Sequence, residues 1–228
     1  MDFNVITESL KKGFNVWKEN IVAYLVGYLI VVIIAGIISG VAFSLGAFSL
    51  ITSILSGSVT GAGLGFVSLA LGSLLLLLVV GPLGLGLFYM ALKGTRGEKV
   101  EIKDIFYSFR SVSAYIRALI FLIVYALLAV IFSIIPIIGN IIFLILFFYT
   151  IYIYLMTPSE GILYALKESF TIAKDNLVMT IVALIVYYVL IFIGSLLFGI
   201  GLLITAPIAL LFVSYVVKEL KPSTKDES

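Results

Sequence analysis

The chain has no cysteine, no histidine and no glutamine, and only 11% of its 228 residues are charged. Without cysteine there is no disulfide scaffold. Without cysteine and histidine the common transition-metal sites reduce to carboxylates, so no metal or cofactor is expected. A soluble domain is usually about a quarter charged, which sets this chain apart from water-soluble enzymes. Its 14 basic and 12 acidic residues leave a net charge of +2, too little for a nucleic-acid binder. Nor does it contain G-x-S-x-G, H-E-x-x-H or a pair of acids inside an apolar run, so no enzyme is expected. What is abundant is apolar: 63% of residues are hydrophobic, with a mean hydropathy of +1.29. That composition belongs to a polytopic membrane protein.

Charge is absent from three long runs, 20–92, 118–159 and 176–217. A spanning helix needs about 20 apolar residues, so each run holds two spans. The spacing predicts Ile21–Phe43 and a span near Gly65–Leu92, then Ala118–Ile135 and Ile137–Met156, then Leu177–Phe198 and Leu202–Val217. Pro136, Gly139 and Asn140 mark one turn, and Gly199 and Gly201 another. Between the first two spans, Ser44–Gly63 is rich in Ser, Gly, Ala and Leu. It fits a loop, an outer interfacial helix or a re-entrant segment equally. Met1-Asp2-Phe3 lacks a basic leader, so the first apolar run reads as a retained span. Six spans put both termini on one side, together with every Lys and Arg, and the positive-inside rule makes that side cytoplasmic.

Displacing the chain by 156 positions aligns Ile6–Val22 with Ile162–Val178, and seven of 17 residues are identical. A weaker third copy, Ile105–Arg117, shares Ser108-Phe109 with Ser169-Phe170. Each copy has apolar residues at three- and four-residue steps: Phe3, Ile6, Leu10, Phe14 and Trp17; Ile105, Phe109, Val112 and Ile116; Ile162, Leu166, Phe170 and Ala173. These are amphipathic helices with basic polar faces, the kind that lies flat in a membrane interface. Asn20 and Asn176 are placed to end two of them in the left-handed conformation. The expected architecture is all-α and integral to the membrane. Six transmembrane helices form three hairpins, each preceded by an amphipathic interfacial helix. One membrane domain covers 1–217, in units of about 1–92, 93–156 and 157–217, with a polar tail at 218–228.

Thr157-Pro158-Ser159-Glu160 reads as a capping box, with Glu160 alternatively a lone acid for a cation or headgroup. Gly81-Pro82 with Gly84 should kink the second span, since proline removes a helical hydrogen bond. Gly36-x-x-x-Gly40 and Gly57-x-x-x-Gly61 suggest close helix approach. Gly61-x-Gly63-x-Gly65 follows no strand and is not a nucleotide loop. Tyr24, Tyr28, Tyr89, Tyr115, Tyr152, Tyr154 and Tyr215 gather near the inner span ends as half of an aromatic belt. Ionisable residues are missing from the spans, which disfavours ion-coupled transport. The missing glutamine, with many Ile, Lys, Glu and Tyr, is a compositional hint of a thermophile.

Glu160-Gly161 through Ala165-Leu166-Lys167-Glu168-Ser169-Phe170 resembles an E-G-x-x-x-A-L-[KR]-[KR]-S-[WF] segment. Gly81-Pro82-Leu83, Arg96-Gly97-Glu98 and Asp104-Ile105-Phe106 are similar to further marks of the same group. That group comprises bacterial and archaeal polytopic proteins, including domains of unknown function and the membrane domain attached to glycerophosphodiester phosphodiesterases. The resemblance runs over about 6–217 and implies a six-helix bundle. It supplies no catalytic residue.

The residues point first to a non-enzymatic protein that binds or organises lipid at the cytoplasmic leaflet. Phe14, Trp17, Phe109 and Phe170 would anchor beneath the headgroups. Lys11, Lys12, Lys18, Arg110, Arg117, Lys167 and Lys174 would meet anionic lipid, each contributing about 1 kcal/mol. One alternative is a pore or facilitator for a small neutral or lipidic solute. Another is an accessory subunit recruiting a cytoplasmic protein through 93–117. An oligomer is compatible with each.

Overall fold

A computed structural model describes residues 4–57, 59–197 and 199–221. Phe3, Phe198 and the polar tail from 222 onward fall outside the described residues. Ten α-helices are described: α1 (Asn4–Glu19), α2 (Ile21–Ser56), α3 (Val59–Leu75), α4 (Gly81–Thr95), α5 (Val112–Ser133), α6 (Ile138–Leu146), α7 (Thr150–Met156), α8 (Gly161–Asp175), α9 (Leu177–Leu196) and α10 (Leu202–Leu220). A π-helical turn, Leu76–Val80, joins α3 to α4, and a 3-10 segment, Ile102–Phe109, precedes α5. Six continuous or nearly continuous helices are long and apolar enough to cross a membrane. This is an all-α, multi-pass protein.

The first two spans differ from expectation. Ser44–Gly63 is not a separate connection, because α2 runs unbroken to Ser56 and α3 begins at Val59. At 36 residues, α2 is about 54 Å long, against about 30 Å for a 20-residue span. Small residues let α2 and α3 zip together. A Cβ on Gly65 would stand 3.0 Å from the Gly46 carbonyl oxygen, and one on Gly72 would meet Ala42. The Ser49 hydroxyl donates to the Gly61 carbonyl at 2.8 Å. Gly57, at φ +65, ends α2 in the left-handed conformation that glycine adopts freely. Gly36 and Gly40 do not take part, since a Cβ on either meets nothing within 4 Å. Gly84 is equally open.

Pro82 does distort its span, through the π turn immediately before it. Proline has no N–H and crowds the carbonyl four residues earlier, that of Leu78. The Tyr115 hydroxyl donates to that carbonyl at 2.9 Å, giving it a partner. The fourth span also breaks, between Leu146 and Thr150. Here the Phe147 carbonyl accepts from the Tyr125 hydroxyl and the Leu146 carbonyl from the Ser169 hydroxyl. Backbone irregularity within a membrane needs such partners, because no water is present to supply them.

Two expected local structures are absent. Thr157 does not open a capping box: it ends α7, its hydroxyl donates back to the Ile153 carbonyl, and α8 starts only at Gly161. Gly161, at φ +78, redirects the chain between Glu160 and α8. Likewise Ile105, Phe109, Val112 and Ile116 do not share one α-helix. The 3-10 segment ends at Phe109, and Ser111 caps α5 by accepting from the Ala114 N–H at 3.1 Å. The third span therefore starts at Val112 rather than Ala118, with Arg117 on its second turn.

Dense packing is concentrated at the end of the bundle that carries the charges. Leu83–Leu92 of α4, Tyr152–Leu155 of α7 and Ala206–Val217 of α10 supply most of the buried hydrophobic residues. Toward the opposite end large apolar side chains face outward, among them Ile54, Leu55, Val59 and Ile134.

Candidate functional site: the charged end of the bundle

Contacts tie the charged zones together at one end. Lys12 pairs with Glu219 at 3.5 Å, and the Lys218 ammonium donates to the Thr95 carbonyl at 3.4 Å. The Val100 N–H donates to the Asn20 side-chain oxygen at 3.2 Å. Lys221 stands over the Tyr164 ring, joining the end of α10 to α8.

Three short segments pack on spans at the charged end. The first, α1, lies on α10; the 3-10 segment lies on α4; α8 lies along α7. Each brings a small residue against the backbone of the span it covers. A Cβ on Gly13 would stand 3.2 Å from the Phe212 backbone nitrogen. The Ser108 hydroxyl donates to the Pro82 carbonyl at 3.0 Å, and the Ser169 hydroxyl to the Leu146 carbonyl at 3.0 Å. The residue after each is an exposed phenylalanine: Phe14 at 40%, Phe109 at 40% and Phe170 at 41%.

Burial in the first and last segments repeats at a displacement of 156. Ser9 and Ala165, Gly13 and Ser169, Trp17 and Ala173 are all buried, as are Tyr24 and Thr180, Gly27 and Ala183. The joints agree as well. Asn20 and Asn176 have φ −122 and −124, and each side-chain amide donates to the carbonyl four residues earlier. Neither is left-handed, so the side-chain amide, not a positive φ, ends the helix. The inward stripe is rotated from the apolar one: Ser9, Gly13, Ala165 and Ser169 face the protein, while Leu10 and Leu166 are half-buried.

Trp17 is only 7% exposed and belongs to the core, so its side chain is not available as a lipid anchor. Among the expected headgroup residues, Lys12 pairs with Glu219 and Lys11 with Glu8. Lys18 stands over the Phe14 ring at 4.4 Å. Arg117, Lys167 and Lys174 are exposed and have no ion pair among the described residues.

Arg110 is engaged by a residue that hydropathy reading passed over as a binding group. Asp104 is 1% exposed, and its carboxylate accepts from Lys93 at 2.8 Å, Arg110 at 3.0 Å and the Glu101 N–H at 2.9 Å. Arg110 also stacks over Tyr89 and Tyr107, whose rings are themselves stacked 4.0 Å apart. Glu101 and Lys103 pair beside the cluster. The hydrogen bond and charge of Lys103 hold the Glu101 carboxyl below the usual glutamate range. The cluster clamps the 3-10 segment to α4, where a Cβ on Gly86 would collide with the Ile105 carbonyl. Only the D-I-F pattern around Asp104 signalled it in sequence.

No group of three or more His, Cys, Asp or Glu able to hold a metal occurs among the described residues. No known family matches the chain, and no curated protein or solved structure matches it either.

Proposed function

We propose that this chain is a non-enzymatic membrane protein that binds anionic lipid at the cytoplasmic leaflet. It is built from three repeated units, each a covering segment followed by a transmembrane hairpin. Each covering segment seals the second span of the preceding hairpin, and α1 closes the ring on α10. Parallel repeats of this kind put a pseudo-threefold axis along the membrane normal. The positive-inside rule orients the charged end, with both termini, toward the cytoplasm.

The observation that carries the reading is the set of three phenylalanines, exposed alike and each following a buried small residue. Lys167 and Lys174 share α8 with Phe170 and Arg117 lies on α5, and none of the three has an ion pair among the described residues. An aromatic ring set in the headgroup layer next to a basic side chain is the arrangement that holds an anionic surface. Arg110 serves the fold rather than lipid in this reading, because Asp104 and the Tyr89 and Tyr107 rings already engage it.

The test compares the full-length protein in nanodiscs of phosphatidylglycerol or phosphatidylcholine. Lipid retained after detergent exchange is counted by native mass spectrometry. Wild type should retain phosphatidylglycerol preferentially, and less so as salt rises. K167Q/K174Q with K18Q should lose most of that preference. Equal retention of both lipids at low salt removes the reading.

A further inference from the structure

We propose that the groove between α5 and the α7–α8 connection seats one phospholipid, with its phosphate on Arg117. This rests on the lipid-binding reading above and names a site for it. The groove has a volume of 190 Å³ and is lined by Arg117, Ile120, Phe121, Tyr154, Pro158, Gly161 and Ile162. That is room for about six groups the size of a water molecule, enough for a phosphate and the first methylenes.

Chemistry along the groove changes in the order a phospholipid requires. At the charged end stands the Arg117 guanidinium, exposed and without an ion pair among the described residues. Its backbone is held, since the Tyr154 hydroxyl donates to the Arg117 carbonyl at 3.2 Å. That bond ties α5 to α7 through the backbone and leaves the guanidinium free of ion pairs among the described residues. Ile162 lines the groove at the charged end; deeper along α5, Phe121 and Ile120 line it, and exposed Ile123 and Leu127 continue the apolar face of α5 away from that end. Guanidinium meets phosphate through paired hydrogen bonds, and the apolar face suits an acyl chain.

Among the other grooves at the same end, one of 30 Å³ shares Arg117, Tyr154 and Pro158 and is too small for a headgroup, and two carry acids. One is lined by Glu19, Asn20, Lys99 and Glu101, the other by Glu8, Lys12 and Glu219. In the second the lysine is already paired with Glu219. The Arg117 groove has a cation and no acid in its lining; Glu160 precedes Gly161 but does not line it. Charge therefore selects this groove for a phosphate ester.

The test uses the full-length protein and three probes: phosphatidylglycerol, diacylglycerol and inorganic phosphate. Bound molecules are counted by native mass spectrometry, and a photoreactive phosphatidylglycerol is mapped by peptide sequencing. Wild type should hold one tight phosphatidylglycerol that crosslinks within 116–121 or 158–162, and should hold neither diacylglycerol nor inorganic phosphate comparably. Arg117→Gln should weaken that lipid about tenfold, the loss of one charge-assisted pair. Ile120→Trp, which fills the groove and keeps the charge, should weaken it similarly. K167Q/K174Q should leave it in place.

Unchanged tight binding in R117Q, with crosslinks elsewhere, overturns the site while the general preference for anionic lipid survives. Inorganic phosphate displacing the lipid at matched concentration overturns the lipid as occupant. Wild type that shows no preference for phosphatidylglycerol over phosphatidylcholine removes both proposals together.

Discussion

Replacing Asp104 with asparagine should be the most damaging conservative change at the charged end. The side chain keeps its shape and can still accept from the Glu101 N–H, so the turn is preserved. What it loses is the charge facing Lys93 and Arg110. Lys93 is 16% exposed and its ammonium lies 2.8 Å from the carboxylate, so D104N leaves a poorly solvated cation. Breaking a buried pair by removing one partner costs about 3–5 kcal/mol. Arg110 is 47% exposed and turns to solvent, which adds only about 0.2–1 kcal/mol. The retained turn and the partial exposure of Lys93 put the sum near the lower bound, about 3 kcal/mol. The measurement is reversible unfolding in mixed micelles. It is followed by circular dichroism and by the fluorescence of Trp17, the single tryptophan, which is buried. Adding Lys93→Met to D104N should recover more than half of the loss, because no unpaired buried charge then remains and Arg110 is solvated. A D104N midpoint within about 0.5 kcal/mol of wild type, or strictly additive single changes, would refute the clamp.

Two further changes test the packing. Tyr115→Phe removes the hydroxyl that serves the Leu78 carbonyl beside Pro82, and should cost about 1 kcal/mol in the same assay; no loss would mean that carbonyl needs no such partner. Gly86→Ala places a methyl against the Ile105 carbonyl and should cost about 3 kcal/mol or more, whereas Gly36→Ala meets nothing and should stay within about 0.5 kcal/mol. Equal effects at Gly86 and Gly36 would show that close approach to the covering segment is not what glycine provides.

Where sequence reading failed, it failed in one physical direction. Hydropathy counted Trp17 among the lipid-facing anchors, yet it is buried, and it gave no inward role to Ser9, Gly13, Ala165 and Ser169, which face the protein. In water an apolar side chain is driven inward, but lipid is as apolar as leucine and supplies no such drive. Inside a membrane the contacts form where small side chains let backbones approach, and a hydropathy scale gives those residues little weight. The same reasoning explains Ser44–Gly63. Its serines and glycines looked like a connection, yet Gly46, Ser49, Gly61 and Gly65 lie along the seam between two long helices.

Electrostatics alone made the spans legible. Charges cannot remain unpaired in hydrocarbon, so the three charge-free runs had to be the membrane-crossing parts, and six helices follow from their lengths. The likeness of Ile6–Val22 to Ile162–Val178 was also visible as plain residue identity. Tertiary structure decided what depends on partners distant in the chain. It set Asp104 between Lys93 and Arg110, gave the Leu78 carbonyl to Tyr115, buried Trp17 and left Arg117 without an ion pair among the described residues. Such pairings join residues up to 37 positions apart through packing, and periodicity along one helix carries no information about them.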